Sequence, residues 1–346
     1  MFENLTERFD NLELDKNYWF IRTSKGRNFE AFTNGGFIGI GWNYITAQDL
    51  RERTEAEIRV KIALNERNSR GELYDSASTK GKTKITSIYN KIRKFEALQE
   101  GDLIVIPSRN SEFLSFGFVA DSEIYNDFVD LDCDFYKRRR INWIVTKSLF
   151  ELDPIFYKII FSMHAISGLN GYASYIDKVV SHIFVKGDRS HLVMDIRTQE
   201  DINMDALTGL MASMKELTAE INSEFQLGED LSNSSVKLNV QSPGAIEFIY
   251  NQGRSILIGA ILLAAPIVVS CSHGQEAQAS TPAQKYAERV ENIQLISDTI
   301  DRVDSITEPE KASLKRFSVV HYDTIAKSKH RMDELQAHVD TQNLIN

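Results

Sequence analysis

An uninterrupted apolar stretch near the C-terminal end, SILIGAILLAAPIVVSC at residues 255–271, limits the possible folds of this chain most strongly. A helix over residues 256–270 is about 22 Å long, whereas the hydrocarbon core of a bilayer is about 30 Å thick. The preceding residues 245–250 are mostly apolar, and Arg254 can reach the headgroups, which extends the helix toward a crossing length. The stretch therefore predicts a transmembrane helix within residues 245–271, with four marker residues in the membrane: Ile256, Leu262, Pro266 and Val269.

The same stretch has a second interpretation, a buried central helix of a globular domain, because apolar runs too short to span a bilayer are typical of protein cores. In the membrane interpretation, Ala260 and Ala264 form a small-xxx-small pattern that lets helices approach closely, so a homo-oligomer in contact with lipid is expected. The upstream basic residues Lys237 and Arg254 then place the N-terminal domain in the cytoplasm, beneath a bacterial inner membrane.

The composition narrows the class of protein. A length of 346 residues predicts two or three domains, and 42% hydrophobic with 26% charged residues is typical of a globular protein. Cys133 and Cys271 stand far apart without a Cys/His cluster, which argues against a disulfide framework and structural zinc, and no cofactor is predicted. The formal net charge is −9, but residues 1–150 contain 23 basic and 23 acidic side chains. The N-terminal part can therefore present basic patches.

The N-terminal part shows the short apolar runs of a β-rich domain. Residues 18–22 and 37–42 predict strands, and Asn34-Gly35-Gly36 between them predicts a hairpin turn. Residues 101–107 form a continuous apolar run that predicts a buried strand. Residues 84–98 have helical spacing, with basic residues opposite the apolar face.

The C-terminal part mixes strands and helices. Residues 191–196 and 236–240 predict strands on either side of a long helix near residues 204–225, which together indicate a small strand-helix-strand module. Apolar residues recur at steps of three and four over residues 286–303, which predicts an amphipathic helix with coiled-coil character. A capping box of Thr307 and Glu310 predicts the start of another helix.

Aromatic and basic side chains occur together in the N-terminal part, as stacking on bases and contact with phosphates require. The basic run at residues 137–140 is the most specific signal, because four adjacent like charges repel unless a polyanion or the acidic stretch 127–134 compensates them. The alternative interpretation makes the tryptophans core residues and the lysines a solvated helix face. The candidate ligand-binding residues are Trp19, Arg22, Trp42, Lys82, Lys84, Arg138, Arg139 and Arg140.

Five blocks, YWFIR, FIGIGW, GDLIVIPSR, FGFVADS and RRINWI, follow one another within residues 16–175. In this order they resemble the EVE/PUA-like domain at the N-terminus of Mrr-type restriction proteins. The resemblance implies a small twisted β-barrel with flanking helices that binds nucleic acid, often with a base in an aromatic pocket. Mrr-type proteins add a metal-dependent nuclease domain, and no convincing set of carboxylates for it follows residue 150. With an apolar segment in its place, the chain resembles membrane effectors of bacterial antiviral defence, such as that of the Hailong system.

Three functional hypotheses follow. The first is a ligand-gated membrane effector of bacterial anti-phage defence, an ion channel that senses a nucleic acid or oligonucleotide and acts with a companion nucleotide-synthesising protein. The second is a soluble reader of modified nucleic acid that recruits a separate effector. Neither is an enzyme, and no catalytic or metal-binding residue is assigned in them. The third is a nuclease with a degenerate motif that uses carboxylates such as Asp188 or Asp195.

The predicted fold class is α+β, in four segments. Residues 1–175 are expected to form the EVE/PUA-like small β-barrel domain and residues 176–244 the small α/β module. Residues 245–271 are expected to form the transmembrane helix and residues 272–346 a helical, oligomerising tail.

Overall fold

The computed structural model describes the chain at residue 2 and over residues 16–128, 133–162, 164–198, 201–239, 244–267 and 281–339. Two compact units make up the chain. The N-terminal unit comprises Asp15–Val180, and the C-terminal unit comprises Ser181–Asn346 together with Met1–Leu14. Apart from residues 176–180, the small module, the apolar segment and the helical tail that the sequence separates therefore all lie in the C-terminal unit.

The N-terminal unit contains a curled, half-barrel sheet with helices on both faces. The strands are β1 (Tyr18–Ile21), β2 (Phe37–Ile40), β3 (Leu103–Pro107), β4 (Phe113–Val119), β5 (Tyr125–Asn126), β6 (Lys137–Ser148) and β7 (Ile166–Gly168). Their order is β2-β6-β4-β3-β1-β7 with β5 beside β6, and all neighbours are antiparallel except β1 and β3. The helices are α1 (Phe29–Gly35), α2 (Ala47–Glu52), α3 (Glu55–Asn65), α4 (Thr79–Glu96), α5 (Phe156–Ile160) and α6 (Ala173–Val180).

Strand β3 shows why residues 101–107 are continuously apolar. Leu103 and Val105 belong to one apolar core, and Ile104 and Ile106 belong to the core on the opposite face of the sheet. A strand buried on both faces cannot alternate apolar and polar residues. The prediction of a buried strand is confirmed, as is the helix predicted over residues 84–98, whose apolar side lies in the second of these cores.

The Asn34-Gly35-Gly36 stretch ends a helix, so the predicted hairpin is wrong. Gly36 adopts a left-handed φ of 64°, and its N–H donates to the carbonyl of Phe32 at the end of α1. Strand β2 then pairs with β6, while β1 pairs with β3 and β7. Glycine in the left-handed region ends helices as readily as it forms hairpin turns, and the local sequence does not distinguish the two.

The C-terminal unit packs helices on one face of an antiparallel sheet. Its strands are β8 (Ile183–Lys186), β9 (Arg189–Ile196), β10 (Ser235–Asn239), β11 (Gly244–Asn251) and β12 (Ala337–His338), in the order β10-β11-β9-β12 with β8 beside β9. Its helices are α7 (Met204–Glu224), α8 (Arg254–Ala264), α9 (Pro282–Asp301), α10 (Glu308–Val320) and α11 (Tyr322–Glu334). The predicted capping box of Thr307 and Glu310 is present at the start of α10.

The predicted transmembrane helix is wrong, because residues 245–250 lie in strand β11 and the helix that follows, α8, is a core helix of the C-terminal unit. Helix α8 has 11 residues, and a helix of that length is about 16 Å long. It packs against α7, α9, α11 and β9. Across the described part of the chain, no helix combines the length and apolar character needed to cross a membrane. A helix enclosed by protein is apolar on every side, as a membrane helix is, which explains the error.

The residues assigned to the membrane fall into three environments. Ile256 and Leu262 are fully buried within the apolar core of the C-terminal unit. Pro266 is exposed just beyond the end of α8, and Val269 lies outside the described residues. The membrane and ion-channel functions that depended on this helix lose their structural basis.

Charged side chains cap both ends of α8. The fully buried carboxylate of Glu229 accepts hydrogen bonds from the backbone N–H groups of Arg254 and Ser255 and from the Ser255 hydroxyl. At the other end, Lys329 Nζ donates to the carbonyl of Leu263 at 2.7 Å, and burial lowers the pKa of Lys329 to about 8. A negative group at the N-terminus and a basic group at the C-terminus suit the helix dipole and satisfy end groups that burial removes from water.

Truncating Leu262 to alanine is expected to lower the free energy of unfolding of the C-terminal unit by about 3 kcal/mol, because the substitution leaves a cavity in a packed core. Urea unfolding followed by circular dichroism at 222 nm measures the change. Val320→Ala removes apolar volume from a 70% exposed position and should change stability by less than about 0.5 kcal/mol. Equal stability of the two variants would contradict the core position of α8.

Candidate ligand-binding site

The loop between β2 and α2 holds Trp42 in a strained conformation. Trp42 has a φ of 56°, a left-handed value that bulky residues adopt only at a cost and that is frequent at functional sites. Its carbonyl accepts hydrogen bonds from Ile45 N at 2.9 Å and from Lys137 Nζ at 2.8 Å. Lys137 Nζ also donates to the carbonyl of Gly41 at 3.0 Å. These bonds fix the backbone from which the indole ring projects.

Two further contacts fasten the same loop. The amide of Asn43 donates to the carbonyl of Asp134 at 2.6 Å, and its oxygen accepts from Tyr136 N at 3.2 Å. Thr46 then begins α2 with a capping box to Asp49. Trp42 is therefore presented by a loop that is bound at several points, although its ring remains partly exposed.

Around Trp42 lies a group of partly exposed aromatic and charged side chains, the Trp42 cluster, which consists of Trp42, Tyr44, Glu66, Tyr74, Lys84 and Lys91. Lys91 Nζ lies 5.8 Å from the centroid of the Trp42 ring, and Lys84 Nζ lies 5.8 Å from that of Tyr74. Both distances are within the range of cation–π contacts. The cluster thus combines aromatic faces with ammonium groups.

The carboxylate of Glu66 links Tyr44 and Lys84 within the cluster. The Tyr44 hydroxyl donates to Glu66 Oε1 at 2.8 Å, and Lys84 Nζ lies 3.7 Å from Glu66 Oε2. Burial and the hydrogen bond to Glu66 raise the pKa of Tyr44 far above its usual value, so this hydroxyl stays a donor. Burial, and then the charge of Lys84, lower the pKa of Lys91. An anion placed between these lysines would relieve their mutual repulsion.

Helix α4 extends the basic surface beyond the cluster. Lys80, Lys84, Lys91 and Lys94, here called the lysine row, share one side of the helix because their spacings are close to whole turns. The row is about 21 Å long at 1.5 Å per residue. Within the described ranges, no ion pair is found for the row members other than Lys84.

Only two of the eight sequence-predicted ligand residues, Trp42 and Lys84, lie in the Trp42 cluster. Lys82 is exposed on α4, roughly 160° around the helix from Lys84 at 100° per residue. Trp19 Nε1 donates to Asp102 Oδ2 at 2.9 Å, within the N-terminal unit. The Arg22 guanidinium donates to the carbonyls of Ile160 and Ser162 at the end of α5.

The basic run at residues 137–140 is mostly internal. Lys137, Arg138 and Arg139 are at most 2% exposed because β6 lies between β2 and β4 in the sheet. Arg138 pairs with Asp127 at 2.8 Å, so the acidic stretch does compensate the run at this position.

The other two arginines of the run also have partners in the N-terminal unit. Arg139 donates to the carbonyls of Phe95 and Glu96 at the end of α4. Arg140 is exposed and pairs with Asp121 at 2.8 Å and Glu123 at 3.3 Å. The run therefore contributes more to folding than to a surface for phosphates.

Sequence reasoning missed Tyr44, Glu66 and Tyr74. Tyr44 stands two residues after Trp42, which was a usable local signal. Glu66 and Tyr74 reach the cluster only through the tertiary fold, by way of the chain that follows α3.

The described residues contain no group of three or more His, Cys, Asp or Glu side chains that could hold a metal ion. Asp195 is one of the two carboxylates suggested for a nuclease, and its Oδ2 lies 3.2 Å from Nε2 of His182. Asp188 is exposed in the turn between β8 and β9.

Residues 19–170 match a family model described as a domain of unknown function, DUF8426. This match covers most of the N-terminal unit, including the whole Trp42 cluster and the lysine row. Searches of curated proteins and of solved structures found no match to this chain.

Proposed function

We propose that the N-terminal unit binds single-stranded nucleic acid through the Trp42 cluster and the lysine row. The observation that carries this proposal is a line of lysines, most of them without an ion pair among the described residues, that passes partly exposed aromatic rings. Lysines neutralise backbone phosphates, and aromatic rings stack on bases whose faces are not covered by a neighbour. A single-stranded nucleic acid offers both phosphates and uncovered base faces.

This proposal corresponds to the second hypothesis from the sequence, a reader of nucleic acid that acts with a separate effector. The membrane-permeabilising function is set aside because the helix it required is the core helix α8.

Binding is tested by the fluorescence anisotropy of a labelled 12-nucleotide single-stranded DNA of mixed sequence, titrated with the full chain. If all four row lysines contact phosphates, the logarithm of the binding constant should fall with the logarithm of salt concentration with a slope of about −3. Replacing Lys84 and Lys91 together by glutamine should lower affinity at least tenfold at 100 mM salt. It should also reduce the steepness of the slope by about 1.4.

Further variants distinguish binding at this site from a general effect of positive charge. Lys84→Gln alone should weaken binding, whereas Lys82→Gln, which makes the same single charge change on another side of α4, should leave affinity within about twofold of the wild type. Trp42→Ala should weaken binding about tenfold through lost stacking. Absence of binding at 50 mM salt, or an equal loss for Lys82→Gln and Lys84→Gln, would overturn the proposal.

A further inference from the structure

We infer that Glu66 selects bases that carry an exocyclic amino group, namely adenine, cytosine and guanine, over thymine and uracil. This inference rests on the proposed function, since it names the base chemistry that the Trp42 cluster would accept. Glu66 supplies the one carboxylate of the Trp42 cluster, whose other members supply aromatic rings and ammonium groups.

Glu66 is held in place by its backbone and its side chain. It follows α3 directly, where its N–H donates to the carbonyl of Ile62 at 2.9 Å, and its own carbonyl accepts from Tyr74 N at 3.4 Å. The side chain is 16% exposed, and Oε1 accepts the Tyr44 hydroxyl at 2.8 Å. The carboxylate is thus held by the Tyr44 hydroxyl, and it still reaches the surface.

A fixed negative charge opposes the binding of phosphates, and the ion pair that offsets it here, with Lys84, leaves other acceptor positions of the carboxylate open. A carboxylate has about four acceptor positions. The Tyr44 hydroxyl occupies one on Oε1, and Lys84 Nζ, at 3.7 Å, is too distant for a direct hydrogen bond to Oε2. Oε2 therefore retains acceptor capacity at the partly exposed edge of the group.

The bases differ in what they offer to such an acceptor. Cytosine N4, adenine N6 and guanine N2 are amino groups that donate hydrogen bonds, and cytosine N4 to a carboxylate is an established pairing. Thymine and uracil have no amino group, and their one donor on this edge, N3–H, lies between two carbonyl oxygens that a carboxylate repels. A base stacked beside Trp42 or Tyr44 would present this edge to Glu66.

The test compares dC12 with dT12, because two pyrimidine strands stack similarly and differ at the edge that Glu66 would contact. Competition against the labelled probe at 100 mM salt should show dC12 binding the full chain about tenfold more tightly than dT12. Glu66→Gln, which presents both an acceptor and a donor, should reduce this preference to less than twofold. Glu72→Gln removes a charge from an exposed residue of the same loop and should keep the preference.

Three other results would contradict either the inference about Glu66 or the proposed function. If dC12 and dT12 bind equally well, the inference about Glu66 fails while the proposed function stands. If Glu66→Gln weakens both strands by the same factor and keeps the preference, Glu66 only positions Lys84, and the inference fails again. If neither strand binds the wild type, the proposed function itself fails.

Discussion

Glu229→Ala is expected to lower the free energy of unfolding of the C-terminal unit by about 3 to 5 kcal/mol. The substitution removes one fully buried carboxylate. It leaves the N–H groups of Arg254 and Ser255, at the start of α8, without their hydrogen-bond acceptor. Each buried donor left without a partner costs about 1 to 3 kcal/mol. Ser255, in the first turn of α8, is fully buried, so solvent cannot replace the hydrogen bonds that it loses. Urea unfolding followed by circular dichroism at 222 nm measures the loss.

Two variants make this measurement specific. Glu224→Ala, near the end of α7, removes a carboxylate that is 57% exposed and 3.9 Å from His321, and should cost less than about 1 kcal/mol. Glu229→Gln retains one acceptor oxygen and should fall between the wild type and the alanine variant. A loss below about 1 kcal/mol for Glu229→Ala would show that the start of α8 does not depend on this carboxylate.

The elements with strong local signals were predictable from the sequence. The apolar side of α4, the continuous apolar run of β3 and the capping box at Thr307 all depend on residues within a few positions of one another. Such patterns follow from the geometry of a single helix or strand. They predict the correct type of element, although α4 begins five residues before the predicted range.

The environment of an element was not predictable in the same way. Apolar density alone does not tell lipid from protein, and the caps that mark α8 as a core helix come from Glu229 and Lys329, which are 25 and 66 residues from their partners. The burial of Lys137, Arg138 and Arg139 was not predictable, because the position of β6 between two strands depends on long-range pairing. For the same reason, sequence reasoning found Trp42 and Lys84 but not Glu66 or Tyr74.

The free energy of unfolding of the N-terminal unit is expected to depend on pH, because Lys137 is buried. Burial, the largest influence, lowers the pKa of this ammonium group to about 7 in the folded chain, against 10.5 for an ordinary lysine. Between these two values the unfolded chain binds a proton that the folded chain does not, so the free energy of unfolding rises with pH. The contribution is absent below about pH 7 and complete above about pH 10.5. It amounts to at most about 1.4 kcal/mol for each pH unit in that window.

Lys137→Met isolates this contribution, because methionine fills a similar volume and does not titrate. The stability difference between the wild type and the variant is expected to grow in favour of the wild type from pH 6.5 to pH 9.5, by about 2 to 3 kcal/mol. Tryptophan fluorescence during urea unfolding is the suitable probe, since all three tryptophans, Trp19, Trp42 and Trp143, lie in the N-terminal unit.

Lys82→Met is the matched control, because it makes the same substitution at an exposed position of the N-terminal unit. A difference between Lys137→Met and the wild type that does not change with pH would mean that Lys137 titrates as an ordinary lysine. The result also bears on the Trp42 cluster, since the same amine donates to the carbonyls of Gly41 and Trp42. Loss of those two bonds should release the left-handed conformation at Trp42, and the variant should then bind single-stranded DNA more weakly than Lys82→Met does.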